Sequence, residues 1–302
     1  MISAAALLVA WSLDTAFGEP RSAWHPVAWF GRLTNPLGRW AKTLPRQAAL
    51  MVGAVLWCAL VGGVATVGYA IQAAVASAPF WIAIPILGLA LKPAFAWRML
   101  RDEVQAVEDA LSDGIDAGRH RLSRLCSRDV AQLNAAAVRE TAIETLAENF
   151  NDSLVAPLFW FVVAGLPGAW AWRAVNTLDA MWGYRGQWEW AGKWAARADD
   201  VLGWVPARLA AGLLWRPVVG LRVWMNEARR TQSPNSGWPM ATIALRLQIR
   251  LSKPGVYVLN AGAPPPDASA SAKALRAVGT ASTWAFMLTM GCLLLASVQA
   301  SR

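Results

Sequence analysis

The sequence predicts an all-α, polytopic helical membrane protein with about four to six membrane-embedded segments, a broken or re-entrant helix near 154–180, and amphipathic cytoplasmic helices. Three observations predict it. Hydrophobic residues make up 56% of the 302-residue chain and charged residues 16%, with 19 Trp, whereas a soluble domain carries roughly 25% charged residues. Several apolar runs approach the roughly 20 residues a helix needs to cross the hydrocarbon core, most clearly 48–75, 80–97 and 280–298. A further apolar stretch, 154–172, is interrupted near its middle by Gly165-Leu166-Pro167-Gly168, where Pro removes a helical hydrogen bond and Gly loosens the backbone.

Taken in order, the run 1–17 starts at Met1 with no basic segment, contains Asp14 and lacks an obvious small-residue cleavage site, so it reads as a retained span rather than a signal peptide. Arg21, Arg32, Arg39, Lys42 and Arg46 fill the next connection, whereas 77–79 carries no charge. That asymmetry puts the basic connection in the cytoplasm. It also accounts for the net charge of +9 without nucleic acid. Cys58, Cys126 and Cys292 are far apart and indicate neither a disulfide framework nor a zinc site.

From 98 to 152 acidic and basic residues alternate, and the pattern predicts two amphipathic helices outside the membrane, roughly 99–126 and 130–150. The interrupted stretch predicts a re-entrant hairpin or a tight external turn, whose non-helical backbone must line a covered or wet cavity. The run 201–221 contains Pro206, Arg208, Arg216 and Pro217 and fits either the interface or a cavity wall. Turn-rich "SPNSGWPM" (233–240) and "KPGVYVLN" (253–260) precede a loop. With no internal repeat, the expectation is a single integral membrane domain, 1–302, with 98–152 and 222–279 outside the membrane.

Glu140, Glu144, Glu148 and Asp152, spaced by four, form one acidic stripe on a helix. Like charges at this spacing repel, so a cation must compensate them. Oxygen ligands of this kind, beside Asn149 and Asn151, suit magnesium bound together with phosphate; a solvated helix face is the competing reading. In "RAVNTLDAMWGYRG", Arg173, Asn176 and Asp179 at spacings of three present a cation, an amide and a carboxylate on one face. Ionisable groups at membrane depth usually mark function, although a snorkelling interfacial Arg explains part of the pattern. Lys193, Arg197, Asp199, Asp200 and Arg208 follow, able to hold metal and phosphate oxygens or to pair among themselves. His25, between Trp24 and Pro26, contacts substrate or fills a packed turn, and His120 reads as packing; neither has metal-ligand spacing. The chain has no Walker loop, Rossmann fingerprint, H-E-x-x-H or G-x-S-x-G.

These segments resemble, in order, the CobD/CbiB family of cobalamin-biosynthesis membrane proteins, the adenosylcobinamide-phosphate synthases. The carriers are "LDTAFGEPRSAWHPVAWFGRL", "ETAIETLAENFNDSLVAPLFW", "RAVNTLDAMWGYRG", "WAGKWAARADDVLGWVPARL", "SPNSGWPM" and "KPGVYVLN", spanning roughly 10–260. The chain departs from the family at Arg128-Asp129-Val130, where an Arg-Asp-Thr element is common. The resemblance implies ATP-dependent amide formation between the free propionate of adenosylcobyric acid and the amino group of 1-aminopropan-2-ol or its O-phosphate. It implies magnesium and ATP, a bacterial cytoplasmic membrane location with the site facing the cytoplasm, contact with other corrinoid-pathway enzymes, and no nucleic acid. On that reading Glu144, Glu148 and Asp152 hold the metal. Arg173, Asn176, Lys193, Arg197, Arg208, His25 and Asn235 bind substrate or nucleotide, and Asp179, Asp199, Asp200 and Glu140 are the catalytic candidates. The competing classes are a transporter of corrinoid intermediates and a scaffold for their enzymes.

Overall fold

The computed structural model describes residues 1–126, 128–216 and 220–299. The helices are α1 (Ile2–Phe17), α2 (Pro26–Ala41), α3 (Arg46–Ala76), α4 (Phe80–Leu91), α5 (Trp97–Asp113), α6 (Ile115–Leu122) and α7 (Ala135–Phe150). A π turn at Asn151–Val155 leads into α8 (Ala156–Trp182), followed by α9 (Lys193–Leu202), α10 (Trp204–Leu214), α11 (Leu221–Ala228) and α12 (Gly237–Leu247). An antiparallel hairpin of β1 (Leu251–Lys253) and β2 (Tyr257–Leu259) precedes α13 (Ala268–Gln299). The protein is therefore an all-α polytopic helical membrane protein with one small hairpin. Four helical stretches are long and apolar enough to cross a membrane: Arg46–Ala76, Phe80–Asp113, Ala135–Trp182 and Ala268–Gln299.

The chain divides into two compact units. The first contains Met1–Ala96, Ala156–Gly203 and α13 from Phe286 onward. Its α3 has 31 residues and at ~1.5 Å per residue is about 46 Å long, ample for a hydrocarbon core of ~30 Å. Of its apolar window only 11% is buried, so most of that surface faces outward. The expected span 80–97 stops early: α4 gives way at Lys92-Pro93 to a short 3-10 turn and an extended Phe95.

α8 is broken where the sequence placed the break. Ala164 (φ −137°) and Gly165 (φ 66°, ψ −154°) leave helical geometry. A Cβ on Gly168 would lie 2.4 Å from the Trp160 carbonyl oxygen, although eight residues of straight helix would separate the two by ~12 Å. The two halves therefore fold back on each other. The Leu166 amide, freed by the break, donates to Gln72 Oε1 of α3 at 2.8 Å, and Trp170 Nε1 donates to the Ala90 carbonyl at 2.8 Å. The first bond meets the requirement that irregular backbone among apolar helices find a protein partner; the second ties the later half of α8 to α4.

The second unit contains Trp97–Val155 and Trp204–Ala285. The helix expected at 99–126 is two helices, because Gly114 (φ 140°) turns the chain between α5 and α6. α7 starts at Asn134, whose side chain accepts from the Ala137 amide at 2.9 Å, a side-chain cap of the helix N-terminus. Arg139 of α7 grips Glu108 of α5 through the Nε–Nη2 edge of its guanidinium at 2.7–3.0 Å, and Ser271 of α13 donates to the same carboxylate at 2.7 Å. The run 201–221 breaks at Gly203 and continues as α10; its Pro217 lies outside the described residues.

Replacing Gly165 with Ala should lower the melting temperature in detergent. The residue has positive φ, which costs an L-residue about 1 kcal/mol or more, and the added Cβ would lie 2.4 Å from Gln72 Oε1. Gln72→Leu should destabilise by a similar ~1–3 kcal/mol through the orphaned Leu166 amide, and equal melting temperatures for both variants and the parent would show that the break needs no support.

Candidate functional site

In the first unit, Gly18 (φ 67°) ends α1 and directs Glu19 towards the α4 terminus. Lys92 Nζ there pairs with Asp14 at 3.0 Å and with Glu19. Glu19 Oε2 in turn lies 2.6 Å from His25 Nε2. His25 Nδ1 accepts from the Val27 amide at 3.1 Å, capping α2, so the ring proton sits on Nε2 and the imidazole donates to Glu19. Asp14 is fully buried. Burial alone would raise Glu19, but the His25 hydrogen bond and the Lys92 ammonium outweigh it and hold the carboxyl below its usual value.

This network adjoins an apolar cavity of about 180 Å³, whose lining includes Pro26 and Val27, next to His25, and Pro93, next to Lys92. Trp170, Arg173 and Thr177 of α8 form part of the opposite wall. His25 and Arg173, singled out from sequence, thus belong to one locality. Lys92, Asp14 and Glu19 were missed, although a Lys ending the apolar run 80–91 was a readable signal, since intramembrane charge is rare without purpose.

Further along α8, Asn176 Nδ2 donates to Asp199 Oδ1 of α9 at 3.3 Å, bringing two of the predicted clusters together. Asp179 lies three residues beyond Asn176 on α8. Burial pushes the Asp200 carboxyl above its usual value, opposed by Arg197 at 3.8 Å. Lys193 pairs with Glu189 at 2.7 Å, and Arg197 is exposed.

In the second unit the acidic stripe of α7 is internally differentiated. Glu140 is 2% exposed, accepts from Arg250 at 3.2 Å and from the Ser252 hydroxyl, and so pins the β1 strand to α7. Glu144 pairs with Arg128 at 3.0 Å, and Arg128 also donates to Thr141 at 2.6 Å. Glu148 and Asp152 are half-buried. Between them the helix passes into the π turn, a distortion frequent at functional sites. Tyr257 of β2 is pushed well above its usual value by burial and then by Glu144 and Glu148, so its hydroxyl remains a donor.

The remaining predicted pair also meets. Arg208 of α10 donates to Asn235 Oδ1 and to the Pro234 carbonyl, each at 3.1 Å, with its guanidinium between Trp204 and Trp238. No carboxylate pairs with Arg208 among the described residues, which leaves its charge for an anion.

Among the described residues no three His, Cys, Asp or Glu side chains converge as a preformed metal cage. The expected metal set of Glu144, Glu148 and Asp152 is therefore not assembled among the described residues: Glu144 is engaged by Arg128. Glu148 and Asp152 keep oxygen donors of the type magnesium takes one or two of when it arrives with phosphates.

A family model described as CobD/Cbib protein matches residues 7–285. The chain belongs to the CobD/CbiB family. Family membership carries a role in cobalamin biosynthesis. Similar curated relatives include a probable cobalamin biosynthesis protein CobD of Thermococcus kodakarensis, 40% identical over 83% of this chain and 82% of that protein. One of Methanothermobacter thermautotrophicus is 34% identical over 96% and 97%, and the cobalamin biosynthesis protein CobD of Rhodobacter capsulatus is 36% identical over 90% and 91%. No solved structure matches the chain.

Replacing Lys92 with Met leaves Asp14 and Glu19 buried without their shared cation and should destabilise by about 3–5 kcal/mol. Because the Glu19 carboxyl is held low when folded, its contribution is full above the unfolded value and is lost as pH falls through the folded one. Melting curves from neutral pH down to about pH 3 should therefore show an acid loss of stability that is reduced in Glu19→Gln.

Proposed function

We propose that this CobD/CbiB-family chain is an ATP-dependent carbon–nitrogen ligase that joins the free propionate of adenosylcobyric acid to the amino group of 1-aminopropan-2-ol or its O-phosphate. A carboxylate is a poor electrophile whose leaving group is oxide, so it must be activated. Attack of the propionate oxygen on the terminal phosphorus of ATP gives an acyl phosphate and ADP. The amine then attacks the acyl carbon, loses a proton and expels phosphate, leaving the amide.

The observation that carries this reading is that separate family motifs meet within each unit, Asn176 with Asp199 and Arg208 with Asn235, while Lys92 joins Glu19 and His25 of the first motif. In the first unit, Arg173, with Lys193 and Arg197 on α9, bind anionic oxygens. Asp179, Asp199 or Asp200 accepts the ammonium proton; the raised Asp200 is the best suited by basicity. Asn176 orients Asp199, and His25 holds Glu19 at the cavity edge. In the second unit, Arg208, positioned by Asn235, takes phosphate oxygens, and Glu140 fixes the β hairpin beside α7. Glu148 and Asp152, supported by the Glu144–Arg128 pair, would hold the magnesium that arrives with ATP, which neutralises phosphate charge. The basic residues of the first connection support a cytoplasmic side for that connection, and on this reading the protein works in a bacterial cytoplasmic membrane, where other corrinoid-pathway enzymes supply and collect its intermediates.

Purified protein in lipid nanodiscs, given adenosylcobyric acid, ATP and either amine, should form the corresponding amide by mass spectrometry only when magnesium is present. Asp199→Asn and Asp200→Asn should separate base from bystander: the true base should lose about 10²–10⁴-fold in kcat with an unchanged melting temperature. Binding of the corrinoid with no amide from either amine would turn the assignment towards a transporter or scaffold.

A further inference from the structure

Within the second unit, α10 ends at Leu214 and the apolar run of α13 begins near Thr280. Together with α12 these segments enclose a cavity of about 320 Å³ lined by Arg216, Arg246, Lys273 and Arg276. No carboxylate lines it; the other lining residues are Leu247, Ala277 and Thr280. Four cations around one cavity repel, and the repulsion grows where water is partly excluded. Arg246 is the least able to move away: it is half-buried and donates to the Leu214 carbonyl at 2.9 Å. Burial, and then the neighbouring Arg216 charge, lower its proton affinity. Lys273 and Arg276, three apart on α13, share a face.

The surroundings place this cavity at a headgroup level. Trp215 adjoins Arg216, Trp284 lies one turn beyond Thr280, and both are exposed, at 38% and 58%. Exposed Trp beside Arg and Lys at the end of an apolar run is the pattern of a membrane interface, and basic pockets there bind lipid phosphates. None of the four cations serves the proposed ligation, so the cavity calls for an anion of its own.

We propose that the Arg216–Arg246–Lys273–Arg276 cavity is a binding site for a phosphate group, presented either by an anionic phospholipid headgroup or by a soluble phosphate compound. Either source leaves the site dependent on positive charge rather than on shape alone, and screened by salt.

The test uses the full chain in neutral detergent and needs no turnover. Native mass spectrometry with phosphatidylglycerol against phosphatidylcholine forms one arm, and calorimetric titration with inorganic pyrophosphate forms the other. The expected result is selective retention of phosphatidylglycerol, a pyrophosphate binding signal, or both, weakened about tenfold or more in the Lys273→Gln/Arg276→Gln double variant and kept in Arg276→Lys. Lys273 and Arg276 are exposed on a helix, so that variant should fold; Arg246→Gln should give the same loss. Lipid selectivity without pyrophosphate binding assigns the site to the membrane, and the reverse assigns it to a soluble phosphate. Equal retention of the two lipids with no pyrophosphate signal, or binding unchanged in the double variant, overturns the proposal.

Discussion

Lys92 stands at the end of an apolar helix with Asp14 on one side and Glu19 on the other, and the first unit is organised around keeping those charges together. An isolated ion among apolar helices is expensive, and removing one partner of a buried pair leaves the other uncompensated. The ion pairs therefore fix how α1 ends, where α4 stops and how the chain enters α2. His25 extends the same network by capping α2 through one ring nitrogen while holding Glu19 through the other. A cavity wall follows directly from that arrangement, since the residues beside His25 and Lys92 line it.

The same rule applied to backbone explains α8. Breaking a helix among apolar neighbours exposes amides that water cannot reach, and Gln72 accepts from the one freed at Leu166, while Trp170 ties the second half of α8 to the α4 carbonyl of Ala90. The break lets Arg173, Asn176 and Asp179 begin a fresh helical half, so one face of the chain can carry cation, amide and carboxylate in an apolar setting. α9 then meets that face through Asp199. The second unit uses its charges differently: two of the four stripe carboxylates are committed to Arg250 and Arg128, and Glu148 at the end of α7 and Asp152 in the π turn lie nearer the surface.

Much of this was legible because membrane burial writes itself into composition and local pattern. The apolar runs, the Gly-Leu-Pro-Gly break and the spacing of the acidic stripe are all properties of neighbouring residues. Less legible were partners distant in sequence. Glu140 reads as one of four equal carboxylates until Arg250 and Ser252, more than a hundred residues away, close on it. The short hairpin at Leu251–Leu259 reads only as a turn-rich segment, although Val256-Tyr257-Val258 directly after its Pro-Gly turn was a signal for a strand. Gly114 likewise divides a helical pattern whose periodicity alone predicts one continuous helix.

By itself the sequence determined the class of protein, the approximate spans, the position of the break and the motifs that mark the family, because these depend on how each segment partitions between lipid and water. Only the tertiary structure decided which charges are locked in ion pairs, which motifs meet, that Lys92 joins His25 and Glu19, and that cations of α12, α13 and the segment after α10 line one cavity. The reason is physical: partition is set locally, residue by residue, whereas the energy of a buried charge depends on what lies within a few ångströms of it, and folding alone chooses those neighbours.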